Sequence, residues 1–477
     1  MEDALDATPA VWERRAHCAG DFRTLPWARR HAQHVPVQAP LTSTRLQAEP
    51  ATAVAPPGRA LQRPPIPAIV QQHADDALHL RHVRSVLVRA PHVRLLQLGR
   101  LDERLDAHLD GLAVAGAYGL ARAQAALEQL GCGEVFAAFA AALQAQDTAV
   151  QHRVLALAPA APEAWRGIVS ALGWTSAPLL REPVRALLAA ASPWQRALGL
   201  DACRLHHVDP GPALATALRA DDPVLRLAAL RTAAALGRSA LLPLVLAALE
   251  STPQDAAAAH AACLLGDRGA ALRALEQAAF ATPAACDLLR PLAVQALPPE
   301  QARAQLRQLM PVAPREAVRA IGWLGDARLV PWLIERMEDV ALARVAGEAF
   351  STITGADLAA LDLERPAPAD LATGPNDDPD DDNVALDDDE NLPWPDPARV
   401  QRWWQAQAGT LAGATRCFVG AAPTAEHLGQ VLRTGSQRQR ALAAQQLVLL
   451  QPGQALFNVA APTWRQRRLL GLPARGG

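Results

Sequence analysis

The chain contains no lysine; all 46 of its basic residues are arginine. That absence removes the lysine-dependent phosphate loop, the kinase strand lysine, the Ser-x-x-Lys nucleophile and Schiff-base chemistry. Aromatic residues are also scarce, 4% of 477, with one tyrosine (Tyr118) and three methionines. A core this poor in aromatics has to be Ala and Leu packed at close range, which favours helices over sheets. No apolar run reaches the ~18 residues of a membrane span, so none is expected. The six cysteines (Cys18, Cys132, Cys203, Cys263, Cys286, Cys417) are scattered, with no Cys-x-x-Cys pair. Such usage speaks against a disulfide framework and for a reducing compartment. Met1-Glu-Asp opens acidic and no apolar signal region follows, so cytoplasm is the expected location.

Half of the residues are hydrophobic, enough for a large core. Residues 1–65 have poor periodicity and recurrent proline, which predicts a disordered extension, or a start codon placed too early. From 66 to 158 the pattern turns helical. Leu95, Leu98, Leu101, Leu105, Leu109 and Leu112 form a stripe at steps of three and four. Prolines then fall at 162, 193, 223, 253, 283 and 314, at spacings of 30 or 31. Four follow a capping residue: Ser192-Pro193, Asp222-Pro223, Thr252-Pro253 and Thr282-Pro283. A side-chain oxygen at the N-cap satisfies an orphan backbone N–H, and proline loses nothing at the first helical position. Leu172-Gly173, Leu236-Gly237, Leu265-Gly266 and Leu324-Gly325 are the matching stops. Asp267 and Asp326 follow two of them and are placed to cap the next helix.

A period near 30 with two short helices per unit predicts an all-α protein. The expected fold is an α-solenoid of short, HEAT-like repeats over 159–361, with an N-terminal helical module over 66–158. Residues 362–395 form an expected acidic linker, holding nine acids between Asp377 and Glu390. A C-terminal helical cap is expected over 396–472, starting at Asp396-Pro397, with Ser436 capping its last long helix.

Four stretches carry a resemblance: His73-Ala-Asp-Asp-Ala; the run Leu98-Gly-Arg-Leu-Asp-Glu-Arg-Leu-Asp-Ala-His-Leu-Asp-Gly-Leu112; Gly133-Glu-Val-Phe136; and Leu392-Pro-Trp-Pro-Asp-Pro397. Over residues 66 to 472 the chain resembles a family of HEAT-type repeat proteins of proteobacteria found in type VI secretion gene neighbourhoods. The resemblance implies a part in secretion-effector handling. That family has no established catalytic residues, so none is carried over.

Three clusters invite a metal. Cys203 and His207 share a helical face near His206 and Asp209, but no partner with zinc-ligand spacing follows. His73, Asp76, His79 and His82 also cluster on one helix. The HEAT-type di-iron hydroxylases use repeated His-Glu pairs, and this chain has no His-Glu dipeptide. Asp378, Asp380 and Asp382 match a calcium loop, but Asn383 stands where glycine is needed and Asp389 where glutamate is. No metal, cofactor or catalytic residue is therefore assigned.

The expectation is a non-enzymatic cytoplasmic scaffold that binds another protein in a helical-repeat groove. Arg226, Arg231, Arg315, Arg319, Trp394, Trp403 and Trp404 are the candidate partner-binding residues, since arginine suits bidentate anion contacts and tryptophan anchors interfaces. A nucleic-acid-binding solenoid and a metalloenzyme are the alternatives. Without the nine clustered acids the chain holds 39 acids against 46 arginines. The acidic run is thus placed to fold back and screen an arginine-lined face. Deleting 377–390 is expected to raise affinity for an acidic partner in a titration; unchanged affinity would reject the screen.

Overall fold

The structure is a computed structural model, and its described residues are 64–281, 288–368, 387, 389–411 and 414–473. One unit of the chain spans Ala68–Leu371 with Asp388–Gly477. The helices lie in this unit, the first starting one residue before it at Pro67. The expected N-terminal extension up to residue 63, the Thr282-Pro283 start and most of the acidic run lie outside the described residues.

Among the described residues there are 22 α-helices and no strand. The first five are α1 (Pro67–Leu87), α2 (Leu95–Val114), α3 (Gly116–Ala125), α4 (Cys132–Gln144) and α5 (Thr148–Leu155). Two rows follow. One holds α6 (Pro162–Trp174), α8 (Pro193–His206), α10 (Pro223–Ala235), α12 (Ala256–Leu264), α14 (Leu289–Ala296), α16 (Pro314–Leu324) and α18 (Ala343–Thr354). The other holds α7 (Ala177–Ala189), α9 (Pro212–Leu218), α11 (Leu242–Ser251), α13 (Ala270–Phe280), α15 (Pro299–Leu309) and α17 (Val330–Arg336). Each helix of the first row packs on the next in chain order, from α4 through α18, so the fold is an α-solenoid.

Alanine makes this close stacking work. In α12, Ala258, Ala259, Ala261 and Ala262 are all buried, because the helix has α10, α11, α13, α14 and a C-terminal helix around it. The hydrophobic core crosses the expected 158/159 boundary without a break. It changes hands instead at α8, where Leu198 and Ala202 face the N-terminal core while Ala197 and Leu200 face the next.

Proline opens α6, α8, α10 and α16 as the spacing predicts. Asp222 caps α10 by accepting from Leu225 N at 2.8 Å, whereas Ser192 makes no cap bond. Thr252-Pro253 is not a helix start. The Asp255 carboxylate accepts from both Ala257 N and Ala258 N at 3.0 Å, so α12 begins at Ala256, and Thr252 ends α11. Gly173 is not a stop either: α6 runs on to Trp174, whose indole is buried. Asp267 and Asp326 do accept backbone N–H groups at the following turns.

The expected linker is partly structured. Arg365 N donates to Trp394 O and Asp396 N to Leu363 O, both at 2.8 Å. These bonds clamp 363–365 to 394–396 and lead into α19 (Pro397–Leu411), followed by α20 (Ala425–Thr434), α21 (Gln437–Leu450) and α22 (Thr463–Leu469).

Gly325 ends α16 at φ +75°, and a Cβ there would lie 2.2 Å from Cys417 O. Gly237 ends α10 at φ +62°, where a Cβ would lie 2.5 Å from Gly453 O. Both glycines thus serve the left-handed turn and a close approach of the C-terminal segment. Gly325→Ala is expected to destabilise by about 2–3 kcal/mol, combining left-handed strain and the clash. Gly429→Ala, inside α20 with only Arg433 near, should be neutral or slightly stabilising. Chemical denaturation of the two variants checks the contrast.

Candidate binding surfaces along the C-terminal segment

An α-helix leaves its last four carbonyls without partners. The first-row helices present these ends to the segment 416–470, which supplies the donors. Arg465 donates to Gly173 O of α6 at 3.0 Å and Leu205 O of α8 at 3.2 Å. Leu456 N donates to Ala235 O of α10 at 2.9 Å. Arg416 reaches Val294 O of α14 at 3.0 Å and the adjacent Leu297 O. Cys417 N donates to Gly325 O, and Val419 N and Gly420 N to Thr352 O and Ile353 O of α18. Cations at helix C-termini also meet the negative dipole end, worth ~0.3–1 kcal/mol each where partly exposed. Burial lowers Arg416 and Arg465 to about 10, which leaves both charged at neutral pH.

The segment extends back to the N-terminal module. Arg440 is 0% exposed and donates to Leu432 O at 2.7 Å and to the side-chain oxygens of Gln437 and Gln466. Those glutamines in turn donate to Val88 O, Val459 O and Ala461 O. Asp102 of α2, also 0% exposed, pairs with Arg84 at 2.6 Å and accepts from Thr463 N at 2.7 Å. Arg438 joins Arg89 O at 2.9 Å to Glu348 of α18 at 2.7 Å. Residues 396–472 therefore bind the length of the array.

Among the described residues, two openings lie beside this segment. One is a cleft of ≈ 540 Å³ between α2, α4, the α6–α7 turn and α22. Glu103, Asp106 and Asp110 come from one face of α2, and Trp174 and Trp464 complete the lining with Arg467. The indoles meet edge to face at 4.7 Å, and Trp464 is 38% exposed. Burial and then the Asp110 charge raise Asp106 above the usual carboxylate range, while a hydrogen bond with Trp174 opposes them. None of the three carboxylates forms an ion pair among the described residues. The other opening, of ≈ 230 Å³, lies against α14, α16 and α21.

The sequence-derived candidates lie elsewhere and do not converge. Arg315 makes two bonds to Asp389, at 2.8 and 2.5 Å. Arg319 pairs with Glu316 and stacks over Trp323 at 5.3 Å. Arg226 donates to Ala220 O, and Arg231 sits exposed near His260. Trp394 is buried under Arg344 at 4.7 Å, and Trp403 and Trp404 pack edge to face on Phe350 of α18. The cleft residues are not among those candidates, although the 3–4 spacing of Glu103, Asp106 and Asp110 signals a shared face.

The Cys203 cluster is a helix end. Burial lifts the Cys203 thiol to about 11, His206 Nε2 lies 2.7 Å from Leu172 O, and His207 takes the left-handed cap position at φ 55°. Asp209 pairs with Arg238. His73 meets His108 at 3.2 Å, and His108 lies 3.6 Å from Asp76. No group of three or more metal-ligating side chains is arranged around a common point among the described residues. No described helix is long and apolar enough to cross a membrane.

Fold and surface together define an all-α solenoid whose C-terminal segment seals the carbonyl ends of its helices. The chain matches no protein-family model, no curated protein and no solved structure.

Burial, Arg465 and His207 lower His206 to about 4, against the opposing Leu172 carbonyl bond; burial and Arg231 lower His260 to about 4 as well. Both are held neutral in the fold and protonate more readily when unfolded. Stability is therefore full above pH 6.5 and declines as pH falls toward 4, by on the order of 1 kcal/mol per histidine per pH unit. Urea midpoints across this range should fall accordingly, and His260→Gln should flatten the slope.

Proposed function

We propose that this chain is a non-enzymatic, cytoplasmic protein-binding adaptor built on short HEAT-like repeats. Its partner inserts a cationic segment into the cleft of α2, α4 and α22. The acidic, tryptophan-lined cleft carries this reading. Its carboxylates form no ion pair among the described residues, and the part-exposed Trp464 indole lies beside them. Arginine or lysine side chains gain from both features, by charge-assisted hydrogen bonds and by stacking on indole. The resemblance to HEAT-type proteins of type VI secretion neighbourhoods supports a partner among secretion components or effectors. The nucleic-acid alternative draws less support, since Arg303, Arg315 and Arg319 bond to carboxylates of this chain.

Co-purification from the native host should recover a protein partner with the wild type. The triple variant Glu103→Gln, Asp106→Asn, Asp110→Asn should reduce that recovery at least tenfold without lowering the melting temperature. Equal recovery by both would overturn the assignment of the cleft.

A further inference from the structure

We propose that the ≈ 230 Å³ cavity between the C-terminal segment and the ends of α14 and α16 binds a small organic carboxylate that also carries a hydrogen-bond donor. Its walls come from both sides of the seam: Gln295, Trp323 and Arg268 from the array, and Arg416, Gln446 and Leu449 from the segment. The inference is independent of the acidic cleft, which lies at the other end of the segment.

The unusual feature is Gln295. It is 9% exposed, and neither its Nε2 nor its Oε1 has a hydrogen-bond partner among the described residues. Gln446 Oε1, also on the cavity wall, is in the same state. Leaving such a group unpaired costs about 1–3 kcal/mol, and folded proteins carry few of them. The same amide is well suited to a ligand that presents one acceptor and one donor together.

Charge decides which end of the ligand dominates. Arg268 donates to Cys263 O at 2.6 Å and Leu449 O at 3.2 Å, and Arg416 donates to Val294 O and Leu297 O. Both therefore bond to neutral carbonyls, and neither forms an ion pair among the described residues. Two guanidiniums, one from each side of the seam, attract an anion and repel an ammonium. A carboxylate can accept from Gln295 Nε2 near these charges, and a neighbouring hydroxyl can donate to Gln295 Oε1 or Gln446 Oε1. Trp323 and Leu449 supply an apolar surface for the rest. A cavity of ~150 Å³ already accommodates benzene, so this one has room for a single ring with its carboxylate. Such a ligand would touch segment and array at once and brace the seam.

Mandelate, which joins a ring, a hydroxyl and a carboxylate, is the probe; benzyl alcohol lacks the carboxylate and phenylacetate the hydroxyl. Saturation-transfer NMR and calorimetry on the full chain should show mandelate binding at least tenfold tighter than benzyl alcohol, with phenylacetate between. Mandelate should raise the melting temperature of the wild type. Gln295→Leu should weaken mandelate at least tenfold and abolish that rise. Should Gln295→Leu fail to fold, Gln446→Leu gives the same readout. The proposal is overturned if mandelate does not bind at millimolar concentration. Equal binding by wild type and variant would overturn it too, since the probe would then sit elsewhere. A variant that gains stability while no probe binds the wild type would show that the cavity holds water alone.

Discussion

The structure turns on carbonyl groups at helix ends. A two-row solenoid directs the C-termini of one row to a common edge, and each leaves acceptors that the helix itself cannot satisfy. Such a row of negative ends needs donors, and burying it without them would cost on the order of 1–3 kcal/mol per group. The segment after α19 supplies them by two devices. Backbone amides of Cys417, Val419, Gly420 and Leu456 reach the ends of α16, α18 and α10. Guanidiniums of Arg416 and Arg465 reach those of α14, α6 and α8.

That solution constrains where recognition can happen. The carbonyl edge is covered by the chain's own residues, so it offers no open groove there. The acidic cleft and the Gln295 cavity both border the covering segment. At one end, α22 brings Trp464 to the acids of α2. Nearer the last array helices, α21 and Arg416 close over Gln295. Each opening exists only when the segment is seated. The buried hub of Arg440, Gln437 and Gln466 and the Asp102–Arg84 pair are therefore positioning elements for the cleft as well as structural ones.

Much of the helical order was legible in the chain, because helix starts and stops are local events. Proline at 162, 193, 223 and 314 marks real first-row starts, and Gly237, Gly266 and Gly325 take the positive φ that ends a helix. Thr252-Pro253 misled because Asp255, three residues on, makes two cap bonds where threonine would make one. The return of residues 416–470 along the array was not legible. Its defining contacts join residues as far apart as Asp102 and Thr463, and no local pattern encodes such a pairing. The cleft fails for the same reason: the acids of α2 share a visible helical face, but Trp464 reaches them only through the fold. Arg315 meets Asp389, a member of the acidic run whose composition suggested a return onto arginine, whereas nothing local marks Trp323 as the ring beneath Arg319.

The absence of lysine gains a structural meaning here. An ammonium is a strongly hydrated point charge, and burying it among neutral carbonyls shifts it readily toward the uncharged amine. A guanidinium stays charged under the same burial and spreads its donors across a plane. Arg416 uses this to hold Val294 O and Leu297 O of one helix end with two nitrogens, while Arg465 stays charged as its Nη1 joins Gly173 O and Leu205 O of two helices. Arg84 binds Asp102 on one side and Ala460 O and Ala461 O on the other. Lysine at 84 or 416 could keep one or two such bonds but not the flat, two-sided bridge. Whatever genomic bias filled the chain with arginine, the seam between segment and array now depends on that geometry.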